Sequence, residues 1–288
     1  MQPSSSLRPQ STACYHVKKQ LAHLAATLVL LARLSPAQAQ TIAPASYSGP
    51  RFPGGPDSLR AFVGRSTWQA MAAPAGRMLV QFELKPDGQP YNFTMVRPSE
   101  PLNRALVDAT AKALDYLAAR MPAWQPAPPD PDNPPSKKEA PKVQLVVDIG
   151  APAASQPYCY ADQNPVFGTL VQALPTRQAN RRDKLLADPA RLARFQSSLL
   201  GLVSFVQLQV MYPAEALRNR QQGTVYASFE VAETGTVEHV EILGTAGRAL
   251  DAEVLRAVQQ LPAATAPAQF RGRPVRVRYV LPVNFKVM

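Results

Sequence analysis

Apolar and polar side chains alternate in two separate stretches of the chain, residues 76–84 and 223–231. A period of two is typical of a β-strand that buries one face. Both stretches therefore predict half-buried strands. The apolar positions are Met78, Val80, Phe82 and Leu84 in the first stretch and Val225, Ala227, Phe229 and Val231 in the second.

A glycine-containing turn follows each of these strands. The first turn reads KPDGQ around Gly88 and the second reads AETGT around Gly235. Glycine supplies the positive φ that a tight hairpin requires. A second strand is expected after each turn, at Pro90–Val96 and at Thr236–Leu243, so that each stretch forms a β-hairpin.

The two hairpins align at a constant offset of 147 residues. Each is followed by residues with helical spacing, at Leu102–Met121 and Leu250–Leu261. A final alternating strand is predicted at Val143–Ile149 in the first copy and at Val275–Phe285 in the second. The sequence thus predicts one unit repeated twice. The identities at the offset pair Gly76 with Gly223, Phe82 with Phe229, Glu83 with Glu230 and Gly88 with Gly235.

The N-terminus has the form of a secretory signal peptide. Lys18 and Lys19 precede the apolar run Leu21–Leu34, which ends in a small-residue site at Ala37–Ala39. We expect cleavage after Ala39, with an uncleaved membrane anchor as the alternative. The predicted order is a signal peptide at 1–39, a first domain at 50–150, a linker at 151–184 and a second domain at 185–288.

Residues between the two predicted domains show little regular pattern. They are rich in Pro, Ala and Gln, which indicates a linker or a poorly packed collar. A helix is expected from Asp188, as N-cap, and Pro189 toward Tyr212. Its second half is apolar nearly all round, so a strand at Val203–Val210 remains an alternative.

The net charge and the residue composition argue against several classes of function. The chain has 31 basic and 20 acidic residues, and loss of residues 1–39 would lower the basic count to 27, a net charge of +7. No long run of like charge points to nucleic acid. The expected mature chain keeps one histidine, His239, and one cysteine, Cys159, and carries no catalytic motif. We expect no enzyme activity, catalytic residue, metal or cofactor.

Several motifs in the second copy resemble the TonB C-terminal domain family over about residues 195–288. They are Tyr212-Pro213, the Gly-led strand with Phe229, Leu250-Asp251 opening a helix, Gly272-x-Pro-Val, and Pro282-x-x-Phe285. The first copy is similar to a more divergent member over about 50–150. It carries FPGG at Phe52–Gly55 and MPAWQPA at Met121–Ala127.

The resemblance implies an α+β fold of two TonB C-terminal-like domains, each an antiparallel three-stranded sheet with two helices. It also implies a protein-interaction module of the Gram-negative envelope, which binds a short peptide of an outer-membrane transporter by strand addition. Carried over by position, the partner-binding residues are Met211, Tyr212, Pro213, Val275, Arg276, Val277, Arg278, Tyr279 and Val280.

The residues of the last strand allow two physical interpretations. Pro282 cannot donate a ladder hydrogen bond, so it belongs on an edge strand or at a strand end. An open edge offers the unpaired groups that strand addition needs, and Arg276 and Arg278 would favour acidic partner segments. Alternatively, the proline and the arginines protect the edge from aggregation.

The stretch Gln40–Pro50 is too short for the stiff spacer that an energy transducer needs to cross the periplasm. We therefore expect a periplasmic binding protein whose partner is a transporter or another envelope protein, with no nucleic acid. The alternatives are an inner-membrane-anchored transducer and a structural homodimer, and membrane association is left open.

Overall fold

The computed structural model describes residues 45–67, 75–98, 104–127 and 142–287. The predicted signal peptide lies outside these residues. No helix among the described residues is long and apolar enough to cross a bilayer. Residues Ile42–Met288 form one compact unit.

The first half contains an antiparallel three-stranded sheet with strand order β2-β1-β3. The alternating residues predicted for β1 are all buried, and they pack on Leu59 of α1 and on Leu106 and Leu117 of α2. The predicted strand and its buried face are therefore confirmed. The elements are α1 (Gly55–Ser66), β1 (Gly76–Leu84), β2 (Pro90–Met95), α2 (Arg104–Arg120) and β3 (Lys142–Ile149).

The segment between the halves is packed, where the sequence suggested a linker or a poorly packed collar. Tyr160 lies in the core of the first half, whereas Phe167, Leu170 and Val171 lie in the core of the second half. Its backbone also bridges to the second half, for example between Val166 and Ala266. Because its apolar side chains follow no helical or strand period, the sequence pattern did not reveal this packing. The segment ends in helix α3 (Ala179–Leu186).

The second half repeats the sheet of the first, with strand order β5-β4-β8 and antiparallel pairing. The alternating residues of β4 are buried against the helices, as predicted. The elements are α4 (Pro189–Ser197), α5 (Leu199–Gln209), α6 (Ala214–Arg218), β4 (Gly223–Val231), β5 (Val237–Gly244), α7 (Arg248–Val258), β6 (Gln269–Phe270), β7 (Arg273–Pro274) and β8 (Val277–Phe285).

Two helices occupy the region where one was predicted. The Asp188 carboxylate accepts a hydrogen bond from the Arg191 backbone N–H, so the predicted N-cap is confirmed. The helix breaks at Ser198, whose hydroxyl accepts from the Gly201 N–H and begins α5. Residues 203–209 remain helical, and the alternative of a strand there is wrong.

The turns of the two hairpins have the same geometry. Gly88 has φ +85° and Gly235 has φ +88°. The Gly88 C=O accepts a hydrogen bond from the Trp124 N–H at 2.9 Å, and the Gly235 C=O accepts one from the Ala264 N–H at 2.8 Å. Each turn is thus held by a residue of the loop after the helix that follows the hairpin.

The hairpins also share a bulge that the sequence did not indicate. Pairing is irregular between Gln81 and Glu83 in the first half and between Ser228 and Glu230 in the second. The opposite strand places Asn92 (φ 54°) and His239 (φ 50°) in the left-handed region. Each of these side chains bonds the bulge carboxylate, Asn92 with Glu83 at 3.2 Å and His239 with Glu230 at 3.0 Å.

The two sheets contact each other through the faces that point away from their own helices. Leu79 and Val146 of the first sheet form a buried cluster with Leu243 and Val280 of the second. The alternation of β1 predicted a strand with only one buried face, yet Leu79 on its other face is 1 % exposed. The second sheet covers this face, since the two sheets pack against each other.

Candidate partner-binding edge

Strand β8 lies at the edge of the second sheet, and the direction of its backbone groups follows from one hydrogen bond. The Arg278 N–H donates to the C=O of Tyr158 at 2.9 Å, so it points away from β4. Successive residues of an antiparallel strand alternate between pairing with their neighbour and pointing away from it. The backbone groups of Val280, Pro282 and Asn284 therefore also point outward.

Pro282 occupies an outward position, where its missing N–H costs no bond to β4. Its predicted place on an edge strand is confirmed. Among the described residues, the outward N–H and C=O of Val280 and the C=O of Pro282 have no hydrogen-bond partner. The C=O of Asn284 accepts a bond from the Gln207 side-chain amide at 3.2 Å. We call Val280–Asn284 the open edge.

The beginning of β8 is already occupied by the chain itself. Tyr158 forms a parallel bridge to Val277, and its N–H donates to the Arg276 C=O at 2.9 Å. Val275 donates its N–H to the Ala268 C=O at 3.0 Å. Of the strand residues predicted to bind a partner, Val280 is the outward one whose N–H and C=O both lack a hydrogen-bond partner in the described part of the chain. Whether the others contact a partner stays a prediction.

The side chains of Val277 and Tyr279 point into the second half. Val277 is fully buried, and the Tyr279 ring stacks on Phe229 with ring centroids 5.6 Å apart. Burial raises the pKa of the Tyr279 hydroxyl far above its usual value. Both side chains thus contact the interior of the protein.

Arg276 and Arg278 pair with carboxylates of their own chain. Arg278 is 8 % exposed and contacts Glu230 at 2.8 Å and Asp148 at 2.6 Å. Arg276 contacts Glu230 at 3.2 Å and Glu238 at 3.0 Å. The charges that were expected to favour acidic partners are therefore largely neutralised within the molecule.

These ion pairs continue into the first half. Asp148 of β3 also contacts Arg77 at 2.8 Å, and Arg77 contacts Glu241 of β5 at 2.6 Å. Burial alone raises the pKa of Glu230, but hydrogen bonds and charge from Arg278, with bonds from His239 and Arg276, outweigh it and hold that pKa below its usual range. The network joins the two sheets and fixes β8 on β4.

Met211, Tyr212 and Pro213 lie near the far end of β8. The Tyr212 ring meets Phe285 edge-on at 5.3 Å, and its hydroxyl donates to the Gln221 C=O. Met211 is 57 % exposed, while its N–H donates to Glu253 at 2.6 Å. Of these three residues, Tyr212 contacts the end of β8, and Met211 and Pro213 adjoin it in the chain.

The sequence pointed to neither Tyr158 nor Gln207 as a neighbour of β8. Tyr158 lies in a stretch with no regular pattern, and its pairing depends on the path of the packed segment. Gln207 lies on an apolar helix whose period gives no sign of a strand nearby. A polar residue in that apolar run was the one available signal.

The two motifs of the first half meet at a groove. The backbones of Arg51 and Gln125 exchange two hydrogen bonds, and the Phe52 and Trp124 rings pack edge-to-face at 5.4 Å. The groove encloses about 690 Å³ and is also lined by Phe270 of the second half. FPGG and MPAWQPA thus shape one surface, although they are far apart in sequence.

The single cysteine and the single histidine expected in the mature chain have the following surroundings. Burial raises the pKa of the Cys159 thiol to about 11, so it stays protonated. The His239 ring bonds Glu230 at 3.0 Å as part of the bulge. No cluster of His, Cys, Asp or Glu within the described ranges could hold a metal ion.

A family model described as "Gram-negative bacterial TonB protein C-terminal" matches residues 209–287. The matched stretch begins at the last residue of α5 and includes all of β8. No curated protein and no solved structure matches the chain. The match supports the resemblance of the second half and associates that half with protein interaction in the Gram-negative envelope.

Proposed function

We propose that the chain is a periplasmic protein-binding protein of the TonB C-terminal type. An extended segment of an envelope partner would add to the open edge of β8 as a further strand. The observation that carries this proposal is the run of outward backbone groups from Val280 to Asn284, which the described residues leave largely unpaired. The family match over residues 209–287 supports the same class of function.

The open edge sets limits on the added strand. Tyr158 blocks pairing before Val280, and Pro282 offers an acceptor but no donor. Backbone hydrogen bonds supply affinity in strand addition, while side-chain pockets supply specificity. A short edge that lacks one donor favours a partner segment of a few residues, held together with contacts to exposed Met211.

We further propose that the two halves are tandem copies of one module. Their strand orders, turn glycines and bulges correspond, as do the left-handed residues Asn92 and His239. Only the second half is covered by the family match. In this proposal the first half supports the second, since its sheet covers the face of the second sheet that carries Val280.

The partner is proposed to be an outer-membrane transporter or another envelope protein, with no catalysis and no cofactor.

A photo-cross-linking residue at position 286, beside the open edge, would trap the partner in envelope extracts. Asn284→Pro removes an outward donor from an exposed residue without touching the core. A lost hydrogen bond of ~1 kcal/mol should weaken capture about fivefold, whereas Pro282→Ala restores a donor and should strengthen capture.

Met95→Pro is the matched control, because it places the same change on the exposed edge strand β2 of the first half. Capture that survives Asn284→Pro in a folded protein would refute strand addition at this edge. A cross-linked product with twice the mass of the chain would instead support a homodimer. The mass of the cellular N-terminus tests the anchored alternative.

A further inference from the structure

Helices α3 and α4 and the start of α5 form a strongly basic part of the second half. Residues 179–200 hold five basic and two acidic side chains, a net charge of +3 in 22 residues. Arg181, Lys184 and Arg191 are exposed. The two acidic side chains pair only loosely with arginines, at 3.8 Å for Asp183 and 4.0 Å for Asp188.

Large apolar side chains are exposed on the same segment. Leu186 at the end of α3 is 50 % exposed, and Leu199 and Leu200 at the start of α5 are 42 % and 61 % exposed. Leu185 and Phe195 are buried and anchor the segment to the core of the second half. The segment is therefore anchored in the core, and its exposed side chains include both leucines and basic residues.

The three helices lie close together. The Arg177 guanidinium, just before α3, donates to the C=O groups of Leu208 and Gln209 at 2.7 and 3.0 Å. The beginning of α3 is thus held at the end of α5, while α3 packs on α4 and α4 on α5. The helices thus pack in sequence against one another, and we call residues 179–200 the basic patch.

We propose that the basic patch docks on the surface of an anionic lipid bilayer. Exposed leucines enter the boundary between headgroups and acyl chains, while Lys and Arg extend along their apolar stems toward lipid phosphates. Protein docking sites favour aromatic anchors, yet Phe195, the one aromatic residue of the patch, is buried. The chemistry of the patch thus suits a lipid surface better than an acidic protein.

Vesicle co-sedimentation of residues 40–288, the expected mature chain, tests this proposal. We expect binding to phosphatidylcholine vesicles that contain phosphatidylglycerol, weak binding to pure phosphatidylcholine, and loss of binding as salt rises. Each basic side chain near an anionic surface contributes about fivefold to partitioning. Arg181→Glu with Arg191→Glu should therefore weaken binding by at least about tenfold.

Two further variants separate a docking site from general charge attraction. Lys85→Glu with Lys112→Glu makes the same charge change at exposed residues of the first half and should leave binding nearly unaltered. Leu200→Ser keeps the charge and should weaken binding several-fold. Equal losses in both charge-reversed proteins, or no effect of Leu200→Ser, would overturn the proposal. Tighter binding to polyglutamate than to the anionic vesicles would also overturn the proposal, because it would indicate that the patch binds an acidic protein.

Discussion

At the residue scale, the glycines of the two hairpin turns combine two requirements. Both have positive φ, and both lie against a carbonyl of the residue that closes the turn. A Cβ at Gly235 would lie 2.4 Å from the Ala264 oxygen. A side chain at this position would therefore meet both backbone strain and a steric clash.

Gly235→Ala should lower the free energy of unfolding by about 2–4 kcal/mol, because the left-handed backbone alone costs about 1–2 kcal/mol for a residue with a Cβ. Gly272→Ala is the matched control, since Gly272 has φ +74° but a Cβ there would meet nothing within 4 Å. We expect a loss of only ~1 kcal/mol for the control. Urea unfolding of both proteins measures the difference, and equal losses would show that the clash is relieved.

The turn glycines were predictable from sequence, but the bulge residues were not. Gly88 and Gly235 follow alternating strands within recognisable turn sequences. Asn92 and His239 differ in type and lie inside predicted strands, where nothing marks a left-handed backbone. Their shared role depends on the carboxylates of Glu83 and Glu230 across the bulge.

At the element scale, the break between α4 and α5 shows what periodicity leaves undetermined. A Cβ at Gly201 would lie 1.9 Å from the Phe195 carbonyl oxygen, so the two helices approach closely at the break. The apolar pattern of the region fits one continuous helix equally well. The N-cap preference of Ser198 is a weak signal when no other stop accompanies it.

Ser198→Ala should cost about 1 kcal/mol of stability, because the first turn of α5 loses the hydroxyl that accepts the Gly201 N–H at 3.0 Å. Ser204→Ala, in the middle of the same helix, should change stability by less than about 0.5 kcal/mol or raise it slightly. Thermal unfolding followed by circular dichroism compares the two. A Ser198→Ala protein as stable as wild type would mean that the cap contributes nothing.

The edge position of β8 could be predicted, because Pro282 in an alternating strand limits where that strand can lie. The extent of its open part could not. Tyr158 pairs with Arg276 and Arg278 only because the segment before it packs between the two halves. The sequence therefore predicted which strand lies at the edge, but not how much of that edge is unpaired.

At the scale of the whole molecule, the ion pairs between the sheets join residues that are remote in sequence. Arg77 and Glu241 are separated by 164 positions, and Asp148 and Arg278 by 130. Each occurs at a strand position that alternation assigns to solvent. These pairs were not predictable from sequence, because nothing in one strand indicates that a second sheet covers it.

The network should make the protein sensitive to acid. The pKa of Glu230 is lowered in the folded state, so its contribution is complete above the unfolded value of about 4.3 and is lost as the pH falls through the folded pKa. Glu230→Gln should therefore lower stability at pH 7 and flatten the loss of stability below about pH 4. Urea unfolding from pH 7 to pH 3 measures both effects.

Glu215→Gln, an exposed residue of α6, is the comparison and should keep the wild-type profile. An unaltered acid dependence in Glu230→Gln would show that other carboxylates control it. Removing one partner of a buried ion pair commonly costs about 3–5 kcal/mol. We expect a smaller loss here, because glutamine keeps one acceptor oxygen, and Oε1 is the atom that accepts both bonds from Arg278.

The packed segment between the halves limits where the chain can be truncated without loss of the fold. The family match begins at residue 209, yet Phe167, Leu170, Phe205 and Val206 fill the core beneath β4 and β8. A fragment trimmed to the recognised stretch would expose the apolar side of its own sheet to water. The stretch that is recognisable by sequence is thus smaller than the stretch that folds, and truncations designed from the family boundaries would remove part of the core.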